Sequence, residues 1–185
     1  METREALLAA ALQVLEEAGE AQFSTRAVCE IAGVTAPTLY HHFGNADGLL
    51  SAAIEAAFAE FLASKVVAAQ KSDDPVLALQ EGWDDYVRFA AARPRLYVTM
   101  MSRFLQGAAI PAARQATELL VARVRAIGAE GRLAVSVEIA ADIVWAEVNA
   151  ASLLHVTAAQ RGASPPDPSV IADIRERTMQ SILSH

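Results

Sequence analysis

With 185 residues, 54% of them hydrophobic, and a formal net charge of −7, the chain suffices for one large domain or two small ones and is too apolar to stay disordered. Forty of the residues are Ala, the best helix former, against 9 Gly and 7 Pro, a composition that favours an all-helical protein. The longest uncharged run, residues 31–46, contains Gly, Pro and two His and falls short of the ~18 apolar residues of a membrane span.

Leu8, Leu12 and Leu15 recur at helical spacing, and Gly19 follows as a stop, which predicts a first helix over about residues 3–18. Ser24 is placed to cap a short helix through about Ile31, carrying Val28 and Ile31 inward. Gly33-Val34 makes a turn, and Thr35 caps a third helix whose first turn tolerates Pro37 and which ends near His42. A long fourth helix from about Ala46 carries Leu50, Ile54, Phe58, Phe61 and Leu62 as its stripe. Lys71-Ser72-Asp73-Asp74-Pro75 reads as a polar, proline-closed boundary. Beyond it, Leu79, Trp83, Val87 and Ala90 stripe a fifth helix; Arg93-Pro94 breaks it and opens a sixth through about Leu105. Gln106 to Pro111 reads as a loop, a seventh helix follows to about Ile127, and an eighth runs from about Leu133 to Gln160. Asp167 caps the last helix, with Pro168 at its first position and Ile171, Ile174, Thr178 and Ile182 on one face. The pattern is about nine helices with no strand-like alternation and no internal repeat.

The segment from Phe23 to Phe43 has helix–turn–helix form. Such a motif needs small residues where two helices meet and a tight turn between them; Cys29, Ala32 and Gly33 supply the first, Gly33-Val34 the second. The second helix is then free to enter a DNA major groove. With Ser24, Val28-Cys29, Ala32-Gly33-Val34-Thr35, Leu39-Tyr40 and His42-Phe43 in place, the first 60 residues or so resemble the TetR family of transcriptional regulators. In the C-terminal half, Trp83-Asp84-Asp85-Tyr86, Arg93-Pro94-Arg95-Leu96-Tyr97 and Met100-Met101 look like the WHG subgroup, although the subgroup's Trp, three residues and His-Gly is here Trp145, three residues and Asn149-Ala150.

The resemblance implies a three-helix DNA-binding domain over residues 1–46 and a helical ligand-binding and dimerisation domain over residues 47–185, joined by the fourth helix. Residues matching DNA-touching family positions are Thr35, Ala36, Pro37, Thr38, Tyr40 and His41, with Arg26 the one fixed cation near the motif. Thr38 and Tyr40 would donate to phosphates, Ala36 could meet a thymine methyl, and His41 could reach a base edge; His42 is read instead as packing the small domain. The implied effector cavity draws on Trp83, Tyr86, Phe89, Tyr97, Met100, Met101, Phe104, Trp145 and Asn149. Met and aromatic residues at helical spacing are individually more often core than pocket, and as a cluster they suit a hydrophobic, even aromatic, effector. The implied homodimer would pair the last two helices through Ile139, Ile143, Ala146, Ala150, Leu153, Leu154, Ile171, Ile174, Thr178 and Ile182, the small residues permitting close approach.

No nucleophile elbow, phosphate-cradling Gly loop or paired-carboxylate motif appears. His41 and His42 are adjacent and point to different faces, so they do not easily share a metal. The expectation is therefore no enzyme, no metal, no cofactor and no membrane. The single cysteine, Cys29, sits at a helix contact as an inert thiol and excludes an internal disulfide. The acidic opening Met1-Glu2-Thr3-Arg4-Glu5 lacks the basic start of a signal peptide, and the expected location is the cytoplasm. The function expected is a ligand-responsive, DNA-binding regulator, in this family most often a repressor released by its effector. The alternative is a ligand-binding dimer that has largely lost DNA affinity and works by sequestration or protein contact.

Charge is what divides these two readings. Residues 1–64 hold two basic and nine acidic side chains, 2 − 9 = −7, while residues 65–185 hold 13 of each. A DNA-binding domain normally shows a basic footprint, and a Lys that the family usually places before the fourth helix is here Ala46. Each neutralised phosphate adds ~0.9 to the salt slope of binding. Fluorescence anisotropy over a salt series is therefore expected to give weak DNA binding with a shallow slope; a slope as steep as that of a strongly basic repressor would overturn this.

Overall fold

The computed structural model of the chain describes residues 2–69 and 74–184. Their order is α1 (Thr3–Ala18), a 3-10 turn (Glu20–Gln22), α2 (Thr25–Ala32), α3 (Ala36–Phe43), α4 (Ala46–Ala69), α5 (Pro75–Ala92), α6 (Pro94–Leu105), α7 (Pro111–Ala129), α8 (Val137–Gln160) and α9 (Pro168–Ile182). The fold is all-α, as the Ala-rich composition predicts. Lys71, Ser72 and Asp73 of the expected boundary lie outside the described residues. Asp74, which follows them, caps α5 by accepting from the Val76 N–H at 2.9 Å.

Contacts divide the chain into two units, the first comprising Met1–Phe61 with Arg95–Ala112 and the second Leu62–Pro94 with Ala113–His185. In the first unit, Leu7, Ala11, Val28, Leu39, Leu49 and Ala53 are buried together, drawing one or two residues from each of α1 to α4. The Leu50, Ile54 and Phe58 stripe of α4 is buried as its spacing requires. Ile31, expected inside, is 46% exposed. The buried residues of α2 are Val28 and Cys29; at about 100° per residue, Ile31 falls outside the arc that they and Ala32 define.

Three polar clamps hold the segment 95–112 to the helices of its own unit. Arg95 donates through Nη1 to the Glu16 carbonyl at 2.7 Å and also to that of Glu17, so a guanidinium sits at the negative C-terminal end of α1. Arg103 donates to Asp47 and, at 2.9 Å, to the Ser51 hydroxyl on the first turns of α4. Its Nε is buried without a hydrogen bond, 4.0 Å from a Glu20 carboxylate oxygen. The Glu55 carboxylate accepts from the Ala112 N–H through both oxygens, at 3.1 and 2.9 Å, capping the start of α7.

In the second unit the core joins α5, α7, α8 and α9 around Leu79, Trp83, Val124, Ile127, Val144 and Met179. The eighth helix starts four residues later than its periodicity predicts. Ser136 caps it, accepting from the Ile139 N–H at 3.3 Å, while Leu133 is drawn into an antiparallel bridge with Leu183. Arg161 to Pro166 forms the expected loop before Asp167, whose carboxylate caps α9 by accepting from the Ser169 N–H at 2.8 Å. A further correction concerns hydropathy. By length and composition α8 is apolar enough to cross a membrane, which the uncharged-run argument missed because Glu138, Asp142 and Glu147 interrupt the run. Its buried face, from Ala140 to Val156, packs into the core just described.

Two outcomes follow from the junction of α3 and α4. A Cβ on Gly48 would stand 2.2 Å from the Phe43 carbonyl oxygen, a backbone atom with no room to yield, so this clash outweighs the ~0.5–1 kcal/mol that Ala ordinarily gains over Gly in a helix. Gly48→Ala should destabilise by about 1–3 kcal/mol in thermal or urea denaturation, and a stabilised variant would refute the close approach. The Arg103 guanidinium, by hydrogen bond and then by charge, holds the Asp47 carboxyl below its ordinary value of 3.8. Its contribution is therefore present above that value and is lost as pH falls through the lowered one. Because the carboxylate is 73% exposed, Asp47→Asn should cost only about 0.2–1 kcal/mol at neutral pH. The gap between the two proteins in urea titrations should close on acidification, and a gap that widens would overturn the assignment.

Candidate nucleic-acid interface and effector domain

The motif of α2 and α3 is assembled by local chemistry. Ser24 caps α2, its hydroxyl accepting from the Ala27 N–H at 3.2 Å. Gly33 then takes a left-handed conformation, φ 65°, which closes the helix and which a side chain would resist. Thr35 occupies the cap position of α3 without capping the backbone. Its hydroxyl is instead paired with that of Thr38 at 3.0 Å, which ties two of the expected DNA-contacting hydroxyls to each other.

Leu39 is fully buried and sets the rotation of α3. On the other sides Pro37, Tyr40 and His41 are exposed and Thr38 is half-buried, Thr35 and Ala36 are exposed at the start of the helix, and Arg26 is exposed on α2. The seven expected DNA residues thus lie within one helix–turn–helix, and six of them are open to solvent. No carboxylate occurs between Ile31 and Ala46. His42 is a correction: it is exposed, because Leu39 and Phe43, four residues apart, already fill the inward stripe of α3. The His41 and His42 rings are 5.5 Å apart, those of His42 and Phe43 6.1 Å apart, and the Arg4 guanidinium carbon lies 5.5 Å from the Phe43 ring centre. Arg4 stands 39 positions from Phe43, and its place at the end of α3 carries no sequence signal.

The nine expected effector residues fall in both units. Within the second, Trp83 is 2% exposed and its indole N–H is buried without a hydrogen-bond partner. Tyr86 donates its hydroxyl to Asn149 Oδ1 at 3.2 Å, and the Asn149 amide donates to the Trp145 carbonyl at 2.6 Å. Phe89 is buried and Trp145 is 38% exposed. Within the first unit, Tyr97 and Met100 are buried, Met101 is half-buried and Phe104 is 41% exposed. Among the described residues no group of three or more His, Cys, Asp or Glu is placed to hold a metal ion.

Of the expected dimer residues, those on α8 face outward. Ile139, Leu153 and Leu154 are 52%, 47% and 39% exposed, Ala146 and Ala150 are exposed, and Ile143 is half-buried. On α9, Thr178 and Ile182 require correction, since they are buried at 3% and 0%, while Ile171 and Ile174, like Ile143, are half-buried beside the same core. A helix with one apolar stripe spends it on its own core, and α9 has only one. Its outward residues include Val170, Asp173, Arg177 and Gln180.

Comparison with known proteins agrees with this architecture. Residues 7–53 match the family model of bacterial regulatory proteins, tetR family. No curated protein sequence matches the chain. A solved protein of unknown function from Rhodococcus sp. RHA1 superposes with a TM-score of 0.83 at 22% identity, covering 100% of this chain and 97% of that one. The transcriptional regulator FadR from Bacillus subtilis, in complex with stearoyl-CoA, superposes with a TM-score of 0.79 at 14% identity over 96% and 98% of the two chains. A TetR family transcription regulator from Marinobacter aquaeolei VT8 gives 0.74 at 15% identity over 99% and 96%.

Proposed function

We propose that the chain, whose residues 7–53 match the family model of bacterial regulatory proteins, tetR family, is a ligand-responsive transcriptional regulator that binds double-stranded operator DNA as a homodimer in the cytoplasm, and is a repressor released by a small apolar effector. The observation that carries this is the face of α3. Buried Leu39 turns Pro37, Tyr40 and His41 outward, Thr35 and Ala36 are exposed at the start of the helix, and no acidic group lies on that helix. Hydroxyls and the phenol suit phosphates, while Ala36 and His41 suit base edges.

Three features support the rest. On α8, Ile139, Ile143, Ala146, Ala150, Leu153 and Thr157 alternate four and three residues apart, the spacing of a helix-pairing seam. That seam is exposed or half-exposed, so a second copy of α8 is its natural cover. The Trp83, Tyr86, Trp145 and Asn149 group mixes apolar surface with a few convergent polar atoms, as small-molecule sites do. The stearoyl-CoA held by the FadR of similar fold supports an apolar, acyl-type effector. Effector binding would act by favouring a state in which the two helix–turn–helix heads no longer match successive grooves about 34–36 Å apart. No catalytic step is part of this scheme.

The second reading, a ligand-binding dimer with little DNA affinity, rests on charge. The first unit holds four Arg, namely Arg4, Arg26, Arg95 and Arg103, against nine carboxylates, 4 − 9 = −5. Selection of bound sequences from a random DNA library separates the two. The regulator should enrich a palindrome with half-sites about one helical turn apart, and Tyr40→Phe or Thr38→Val should weaken retention without lowering thermal stability. A folded dimer that enriches nothing would overturn the first reading in favour of the second.

A further inference from the structure

Of the four Arg of the first unit, two are committed to the fold: Arg95 to the α1 carbonyls and Arg103 to Asp47 and Ser51. Arg4 and Arg26 are exposed, and among the described residues no carboxylate pairs with either. Glu2 and Glu5 flank Arg4 in sequence, but residues one and two positions apart on a helix do not face each other. The positions that do, at i+3 and i+4, are Leu7 and Leu8, both buried.

What Arg4 does touch is the ring of Phe43, the last residue of α3. The guanidinium carbon lies 5.5 Å from the ring centre, within cation–π range. Phe43 is the inner end of a line of rings that runs outward through His42 to His41 in steps of 6.1 and 5.5 Å. Arg4 therefore places a fixed cation beside the exposed end of α3 from a position 39 residues earlier. An Arg side chain held by a ring at its carbon face keeps its N–H groups directed outward and presents a planar fork that matches phosphate.

We propose that Arg4 is a DNA-phosphate contact, docked on Phe43 so that its guanidinium neutralises a backbone phosphate beside the groove entered by α3. The contact rests on the DNA-binding reading given above. It is sequence-independent, since phosphate contacts position a protein without specifying bases, and it offsets part of the acidity of the first unit.

The test uses the full chain, with anisotropy measured over a salt series on a labelled random-sequence duplex and on a duplex recovered by library selection. Arg4→Gln should lower the salt slope by about one and weaken binding by the same factor on both duplexes. Arg4→Lys should keep the slope, and both variants should melt as the wild type does. An Arg4→Gln protein with the wild-type slope overturns the proposal, as does one that loses affinity only for the selected duplex, which would mark a base contact. A changed melting temperature with an unchanged slope overturns it in favour of a purely structural stacking role. Should the wild type bind neither duplex, the DNA-binding reading itself falls and the Arg4 contact with it, an outcome that the wild-type titration alone identifies.

Discussion

Everything in the helix–turn–helix depends on the burial of Leu39. The α3 helix is eight residues long, well short of the ~12–15 residues at which an isolated helix becomes even marginally stable in water. Its existence and its rotation are therefore tertiary facts. Leu39, fully buried with Val28, Leu49 and residues of α1, fixes which side of α3 faces in, and the outward side follows by default. The neighbouring constraint is the tight passage from Phe43 to Gly48, where Asn45 caps α4 by accepting from the Gly48 N–H at 2.8 Å. Together they hold a short helix at a set angle to a long one.

The acidity of the first unit has a different meaning once its carboxylates are placed. Asp47 is bound by Arg103, Glu55 caps α7, and Glu20 lies beside Arg103. These charges serve the attachment of segment 95–112, not the surface of α3. The negative total is real, but it is spatially sorted: α3 itself carries none of it. A field summed over the whole unit opposes a polyanion, whereas the contacts that position a helix in a groove are local.

The second unit turns on the fact that α8 is apolar on two sides. Ala140, Val144, Val148, Ala151 and Val156 are buried in the core, and Ile139, Leu153 and Leu154 are left in solvent on the same helix. This double character is also why, among the described residues, α8 is the helix that reaches the hydropathy of a membrane span. Ser152, buried on the same helix, is satisfied within it, its hydroxyl donating to the Val148 carbonyl at 2.7 Å. By contrast, the Trp83 indole N–H has no such partner among the described residues, which leaves a desolvated donor in this core.

Local signals carried most of the architecture. Helix positions followed from Ala content, apolar spacing, the caps Ser24 and Asp167, and the Gly and Pro stops, because each acts within a few residues of itself. The helix–turn–helix was legible for the same reason: its turn needs Gly33 at positive φ, a requirement written in one residue. What sequence could not supply was any choice made between distant segments. Leu133 leaves the α8 pattern for a partner 50 residues away. The stripe of α9 faces its own core, and His42 is displaced outward by Leu39 and Phe43. Arg4 comes to rest on Phe43, and Arg103 on Asp47. Periodicity states that a helix has an apolar face or a charged end, and only packing decides what that face or end meets, since the energy of the contact belongs to the pair and not to either residue.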